Sequence, residues 1–336
     1  MTSLNTNEDT RIPVTILTGF LGAGKTTLLN HVLSAEHGRK IAVIVNEFGE
    51  IGIDNQLVVG ADEEIMEMNN GCICCTVRGD LVRILGELRD ARESQGNGRK
   101  ADFDRVLIET TGLADPAPVA QTFFVDQEVA DYYKLDAIVT VVDAKHAFMH
   151  LDEDHEAQEQ VAFADVLLLN KGDLVSEEEL LRLERRLRAM NASAKLYRTL
   201  QSRIGIEQIL GIHAFDLDQK LEIDPGFLEE EAHEHDDEVG SLYFREEQPL
   251  DLNKLERFLS EWLTEHGPDT FRYKGVLFIK GLNQRIVFQG VHMLFDSVPD
   301  RDWGPDEAPR SEFVIIGRNL DEPWFRDRFA SCVAGP

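Results

Sequence analysis

The segment from Gly19 to Thr26, reading GFLGAGKT, constrains this chain more than any other. It follows an apolar run, residues 12 to 18, and opens a stretch in which Leu28, Leu29, Val32 and Leu33 recur at helical spacing. Strand, glycine loop and helix in that order form a phosphate cradle. Glycines let backbone N–H groups turn toward a β-phosphate, Lys25 bridges the β- and γ-phosphates, and the Thr26 hydroxyl ligates Mg²⁺. The candidate nucleotide contacts are Gly19, Gly22, Ala23, Gly24, Lys25, Thr26 and Thr27.

Further strand-like runs are predicted at Ile41–Asn46, Arg105–Thr110, Ala137–Asp143, Val166–Asn170 and Lys195–Thr199. Helical patterns separate them, around Asp80–Arg92, Ala117–Phe124, His155–Ala164 and Glu177–Met190. Near-continuous Val, Ile and Leu strands alternating with helices predict an α/β fold, a P-loop domain whose mostly parallel sheet is covered on both faces. Residues 1–222 are assigned to it. Residues 224–240 hold eight carboxylates and no Lys or Arg, so 223–240 read as an acidic, His-containing linker. From 241 to 336 the pattern changes to strands at Ser241–Arg245, Gly275–Lys280, Arg285–Val291 and Glu312–Gly317. An amphipathic helix carries Leu252, Leu255, Leu259, Trp262 and Leu263, and a last helix lies near Trp324–Ala330. That order predicts a smaller α+β domain with an antiparallel sheet.

A length of 336 residues suits two domains. The formal net charge of −28 opposes binding to nucleic acid or to anionic lipid. No stretch of about 18 apolar residues occurs, and the polar start lacks a secretory layout, so a cytoplasmic location is expected. Three of the four cysteines stand within four positions, a spacing that suits a metal or redox site in a reducing compartment better than a disulfide framework.

Two tetrapeptides refine the nucleotide reading. Asn170, Lys171, Gly172 and Asp173 form an NKxD at a strand end. The Asp173 carboxylate can accept from guanine N1–H and the 2-amine, which adenine lacks, so GTP is favoured over ATP. Glu109 to Gly112 (ETTG) ends another strand, where an acid holding Mg²⁺ and a glycine sensing the γ-phosphate would stand. Lys25, Thr26, Glu109 and Gly112 are the candidate catalytic residues, and residues 112–118 the candidate switch loop. No water-positioning Gln is evident after Gly112, which predicts slow intrinsic hydrolysis.

Cys72, Cys74 and Cys75 can converge if the chain turns after Cys74, and Gly71 supplies freedom just before them. Three thiolates select Zn²⁺ or Cu(I) over Mg²⁺, and an incomplete shell suits a metal that must leave. A redox pair and inert buried thiols stay open as alternatives. Glu47 and Glu50 follow the second strand and could reach Mg²⁺ or a thiol-bound metal; solvated loop acids are the other reading. His233 and His235 could collect divalent ions loosely or simply belong to the linker, whereas His146, His150 and His155 read as a solvated helix face.

With Walker A, CxCC, ExxG and NKxD placed in order, the chain resembles the CobW-type P-loop GTPases. The likeness rests on GFLGAGKTTLLNH, VNEFGE, GCICCTVRGDL, ETTGLADPAPV and NKGD, then YKG, QGVH and FVIIGRNLD. It implies that Cys72, Cys74 and Cys75 hold Zn²⁺ and that GTP turnover drives zinc transfer to an apo client metalloprotein. A nucleotide-dependent homodimer is an open option. The alternatives are a GTP-operated metal-sensing switch without delivery, a cobalt chaperone for cobalamin-related or nitrile hydratase maturation, and a nucleotide-dependent kinase or ligase.

Overall fold

The structure is a computed structural model and describes residues 9–46, 65–68, 75–93, 101–215, 239–305 and 307–335. Seven strands build the first sheet: β1 (Ile12–Thr18), β2 (Ile41–Asn46), β3 (Ile65–Met68), β4 (Arg105–Glu109), β5 (Tyr133–Asp143), β6 (Val166–Asn170) and β7 (Lys195–Arg198). Their order is β3-β2-β4-β1-β5-β6-β7, and every ladder is parallel. The central strands are apolar on both sides because both sides are covered. Val14, Ile16, Val106, Ile108 and Ile138 pack under α2 (Cys75–Glu93), α3 (Ala117–Val125), α6 (His155–Phe163) and α7 (Glu177–Met190). Leu17, Val43, Val139 and Leu168 pack on the opposite face against α1 (Lys25–Ser34) and a turn carrying Ile206, Ile209 and Leu210.

Two short helices, α4 (Gln127–Tyr132) and α5 (Ala147–Glu153), were not anticipated, nor was β3. Each is too short for a repeat of apolar spacing to show. Strand β5 begins four residues earlier than its apolar run, since Tyr133 is buried there and donates its hydroxyl to the Leu85 carbonyl at 2.8 Å.

The second sheet holds β8 (Val239–Glu246), β9 (Thr270–Leu277), β10 (Gln284–Val291), β11 (Leu294–Asp302) and β12 (Ser311–Arg318). Its order is β11-β10-β9-β12-β8, antiparallel throughout. Strand β8 starts at Val239, within the range assigned to the linker. Strand β11, also unanticipated, pairs only with β10 at the sheet edge, the place where a residue such as Pro299 is tolerated. Helix α8 (Leu252–Glu265) is capped by Asp251, whose carboxylate accepts from Lys254 N, and buries Leu255, Phe258 and Trp262. Leu252, expected on that face, is exposed in the first turn. The closing helix is α9 (Glu322–Ser331).

Alternation along β12 explains how the sheets meet. Phe313 and Ile315 face α8 and α9, while Val314 and Ile316 join the core of the parallel sheet. Polar side chains cross the same seam. Arg272 pairs with Asp165 and donates to the Phe163 carbonyl at 2.8 Å. Lys274 donates to the Ala214 carbonyl at 2.8 Å, and Gln289 to that of Phe215 at 2.9 Å.

Candidate nucleotide and metal site

In a parallel sheet, loops at the carboxyl ends of the strands gather ligands. Here β1 leads to the glycine loop, β4 to Glu109–Gly112, β5 to Asp143, β6 to Asn170–Asp173 and β7 to residues 199–202. Gly19, Gly22 and Gly24 take φ values of 136°, 73° and 115°, which L side chains rarely adopt. A Cβ on Gly19 would lie 2.3 Å from the Val141 carbonyl oxygen, so the loop needs hydrogen there for packing as well as for dihedral reasons. Helix α1 starts at Lys25 behind Gly24, with no side-chain cap. Its first-turn N–H groups therefore suit an anion.

Lys25 is buried and curls back to donate to the carbonyls of Gly19 at 2.8 Å and Phe20 at 3.3 Å. The Thr26 hydroxyl donates to Glu109 Oε1 at 3.0 Å, and Glu109 is only 5% exposed. A hydroxyl touching a buried carboxylate is the hard-oxygen donor set that Mg²⁺ takes, so these residues fit the ion. The buried hydroxyl oxygens of Thr18 and Thr111, at the same sheet edge, make no hydrogen bond among the described residues. Gly112 presses on the glycine loop: a Cβ there would fall 2.6 Å from Leu21 N. Ala23 is buried and Thr27 is exposed.

The NKxD segment does more than end a strand. Asn170 Nδ2 donates to the Ala23 carbonyl at 2.9 Å and to Ser202 Oγ at 3.0 Å, while its Oδ1 accepts from Ser202 N at 2.9 Å and from Thr199 Oγ1 at 3.3 Å. Ser202 Oγ in turn donates to the Gly24 carbonyl at 3.0 Å. Lys171, in the left-handed region at φ 61°, donates to the Gly22 carbonyl and to Asp143, each at 2.8 Å. Burial would raise the Asp143 carboxyl, but the bonds from His146 and Lys171 outweigh it and hold the group below its ordinary value. Asp173 stands exposed in the turn that follows, open to a base.

Four contributors escaped sequence reasoning. Ser202 and Thr199 carry no motif, and only their place after a carboxyl strand end could have pointed to them. Gln160, buried with Ala157 and Val161 on α6, is one of two buried amides in that helix, the other being Gln158. His150, read as solvated, instead lays its ring 4.0 Å from that of Phe20 in the glycine loop. His155 is exposed, as expected. Behind the switch loop, burial pushes the Asp115 and Glu159 carboxyls up and the His292 imidazole down.

Cys72 and Cys74, Glu47 and Glu50, and His233 and His235 lie outside the described residues. Cys75 is the first residue of α2, and its side chain is outside them too. No described helix is long and apolar enough to cross a membrane.

Comparison with known proteins agrees with this geometry. Residues 13–198 match the model of the CobW/HypB/UreG nucleotide-binding domain, and residues 239–333 that of the cobalamin synthesis protein cobW C-terminal domain. The chain is 40% identical to the zinc chaperone YjiA of Escherichia coli, over 95% of this chain and 98% of that one. It is 36% identical to the zinc chaperone CobW of Pseudomonas aeruginosa, over 96% and 92%. A crystal structure of Zn(II)-bound YjiA GTPase from E. coli superposes with a TM-score of 0.77 at 33% identity, covering 96% of this chain and 99% of that chain. With both halves matched and their order kept, the chain belongs to the CobW/HypB/UreG family of P-loop GTPases.

Proposed function

We propose that this protein is a GTPase that carries Zn²⁺ on Cys72, Cys74 and Cys75 and delivers it to an apo client metalloprotein, with hydrolysis coupled to delivery. The observation that carries the reading is the near full-length match to zinc chaperones on a chain whose glycine loop, Glu109 and Asn170 are already tied into one site. Relatives in Dictyostelium discoideum and Schizosaccharomyces pombe bear the name zinc-regulated GTPase metalloprotein activator 1, at 35% and 33% identity.

In this reading the Lys25 ammonium leaves its loop carbonyls and meets the β- and γ-phosphate oxygens of GTP. Thr26 and Glu109 hold Mg²⁺, which when bound neutralises charge between the phosphates. Gly112 turns its N–H toward the γ-phosphate, and Asp173 selects guanine. The division into a nucleotide domain over 1–222, a linker over 223–240 and a second domain over 241–336 is part of the same proposal. Residues Glu47, Glu50, His233 and His235 are proposed as secondary metal contacts, and the chemistry of their side chains supports that role.

The test combines turnover with metal transfer. Purified protein should hydrolyse GTP in preference to ATP, hold about one Zn²⁺ against a competing chelator, and load an apo metalloprotein faster with GTP present. Replacing all three cysteines by Ser should abolish the chelator-resistant zinc and leave GTP binding intact. A triple variant that still holds one zinc through that competition removes the cluster from the account; loading that ignores GTP removes the coupling.

A further inference from the structure

Helix α6 faces two ways. On its inner side Gln160, 1% exposed, donates both amide hydrogens, to the Gly112 carbonyl at 3.1 Å and the Ala114 carbonyl at 3.1 Å. These carbonyls flank Leu113, which is 54% exposed. The same turn is closed by Ala114 N donating to the Thr111 carbonyl at 3.2 Å. Thr140 of β5 donates to the Gln160 carbonyl at 2.8 Å, fixing the helix to the sheet at that residue. On the outer side Glu159 pairs with Arg318 at 3.5 Å, Phe163 meets the rings of Phe271 and His292 at 5.7 and 5.2 Å, and its carbonyl accepts from Arg272.

We infer that Gln160 is a positioning residue for GTP hydrolysis: its amide grips the turn that carries Gly112, and the second sheet holds the helix from which it does so. The inference rests on the GTPase reading of the site. A primary amide is the one uncharged side chain of this length with two hydrogens to give. Holding the carbonyl of Gly112 fixes the peptide that follows it, and the contact with Leu21 limits how the residue can turn toward the glycine loop. Gln160 touches no reacting atom, so its influence falls on the transition state rather than on nucleotide capture. GDP, without a γ-phosphate, should barely register its loss.

The test uses the full chain with Gln160→Leu and Gln160→Glu. Gln160→Leu should lower kcat for GTP by about 10- to 100-fold, with GDP affinity changed by less than about threefold. Once ionised, Gln160→Glu turns a carboxylate on two carbonyl oxygens; burial favours its protonated form, so its kcat should be equally low only at the high-pH end. Protonation restores one donor, and its kcat should recover as pH falls. His155, Glu159, Asp115 and His292 stand on the same or neighbouring elements in all three proteins, so a pH limb seen only in Gln160→Glu belongs to the new carboxyl. Should Gln160→Leu fail to fold, the near-isosteric Gln160→Glu decides alone. Wild-type kcat in Gln160→Leu at neutral pH or in Gln160→Glu at the high-pH end, or GDP affinity lost in step with kcat, overturns the inference. A wild-type protein without GTP turnover would overturn the underlying reading and this one with it.

Discussion

At the carboxyl edge of the parallel sheet the buried polar side chains join loop to loop, whereas at the seam between the sheets they join one domain to the other. Asn170, Ser202, Lys25 and the Thr26–Glu109 pair all link segments that surround the nucleotide position. Arg272, Lys274 and Gln289 all leave one antiparallel sheet and end on the backbone or a carboxylate of the other half. Within the first set Lys25 is exchangeable, since a phosphate oxygen can replace the carbonyls it holds. The second set has no such substitute, because the groups it reaches lie in the seam between the two sheets. Damage at Lys25 should therefore cost turnover and spare stability, and damage to the second set the reverse.

The largest effect that could break this contrast is at Lys25. Lys25→Ala should reduce GTP turnover by about 10³-fold or more, since the transferring phosphoryl charge loses its compensation, while the melting temperature stays nearly unchanged. A large fall in melting temperature would erase the distinction. Arg272→Met, at a residue 3% exposed in the wild type, should act oppositely. It strands the buried Asp165 carboxylate and should cost about 3 to 5 kcal/mol in urea unfolding, with Asp165→Asn in the same chain restoring part of it.

Lys274 sharpens the seam side through pH. Burial pushes its ammonium down to about 8 from an ordinary value of 10.5. Folding thus favours the neutral amine, and between those values the unfolded chain binds more protons than the folded one. Stability relative to Lys274→Met should be lowest and flat below pH 8 and should rise by up to about 3 kcal/mol toward pH 10.5, as read from urea unfolding at each pH. A flat difference across that window would mean the amine is not buried in solution. The smallest effect concerns base choice: Asp173→Ala should narrow the preference for GTP over ATP by about 10- to 100-fold, leaving affinity for ATP unaltered. Equal affinities in the wild type would remove Asp173 from base selection.

The same contrast explains what the sequence revealed. The glycine loop, ETTG and NKxD are local patterns, each set at the end of a strand that reads as apolar by itself. Gln160 meets Gly112 across 48 positions and Arg272 meets Asp165 across 107, so neither pairing leaves a local trace. Strand β9 is expected from Gly275 and begins at Thr270, the added residues including Arg272 and Lys274. Arg272 is buried and Lys274 half-buried, both reaching into the other half, which makes polarity a poor guide to the surface there. In β12, by contrast, all the interior positions are apolar, and the expected and observed spans differ by one residue at each end.

The central claim is that nucleotide state and zinc retention are one linked equilibrium, the switch loops completing or straining the metal's coordination in one state. Zinc affinity measured by chelator competition in the presence of a non-hydrolysable GTP analogue and of GDP, on protein lacking His233 and His235, tests it most directly. Linkage requires that zinc shift the relative affinity for the two nucleotides by the same factor, expected between about 5-fold and 150-fold. Such a difference, matched in both directions, is the result predicted; identical zinc affinities in the two states would mean that a GTPase and a zinc site merely share one chain.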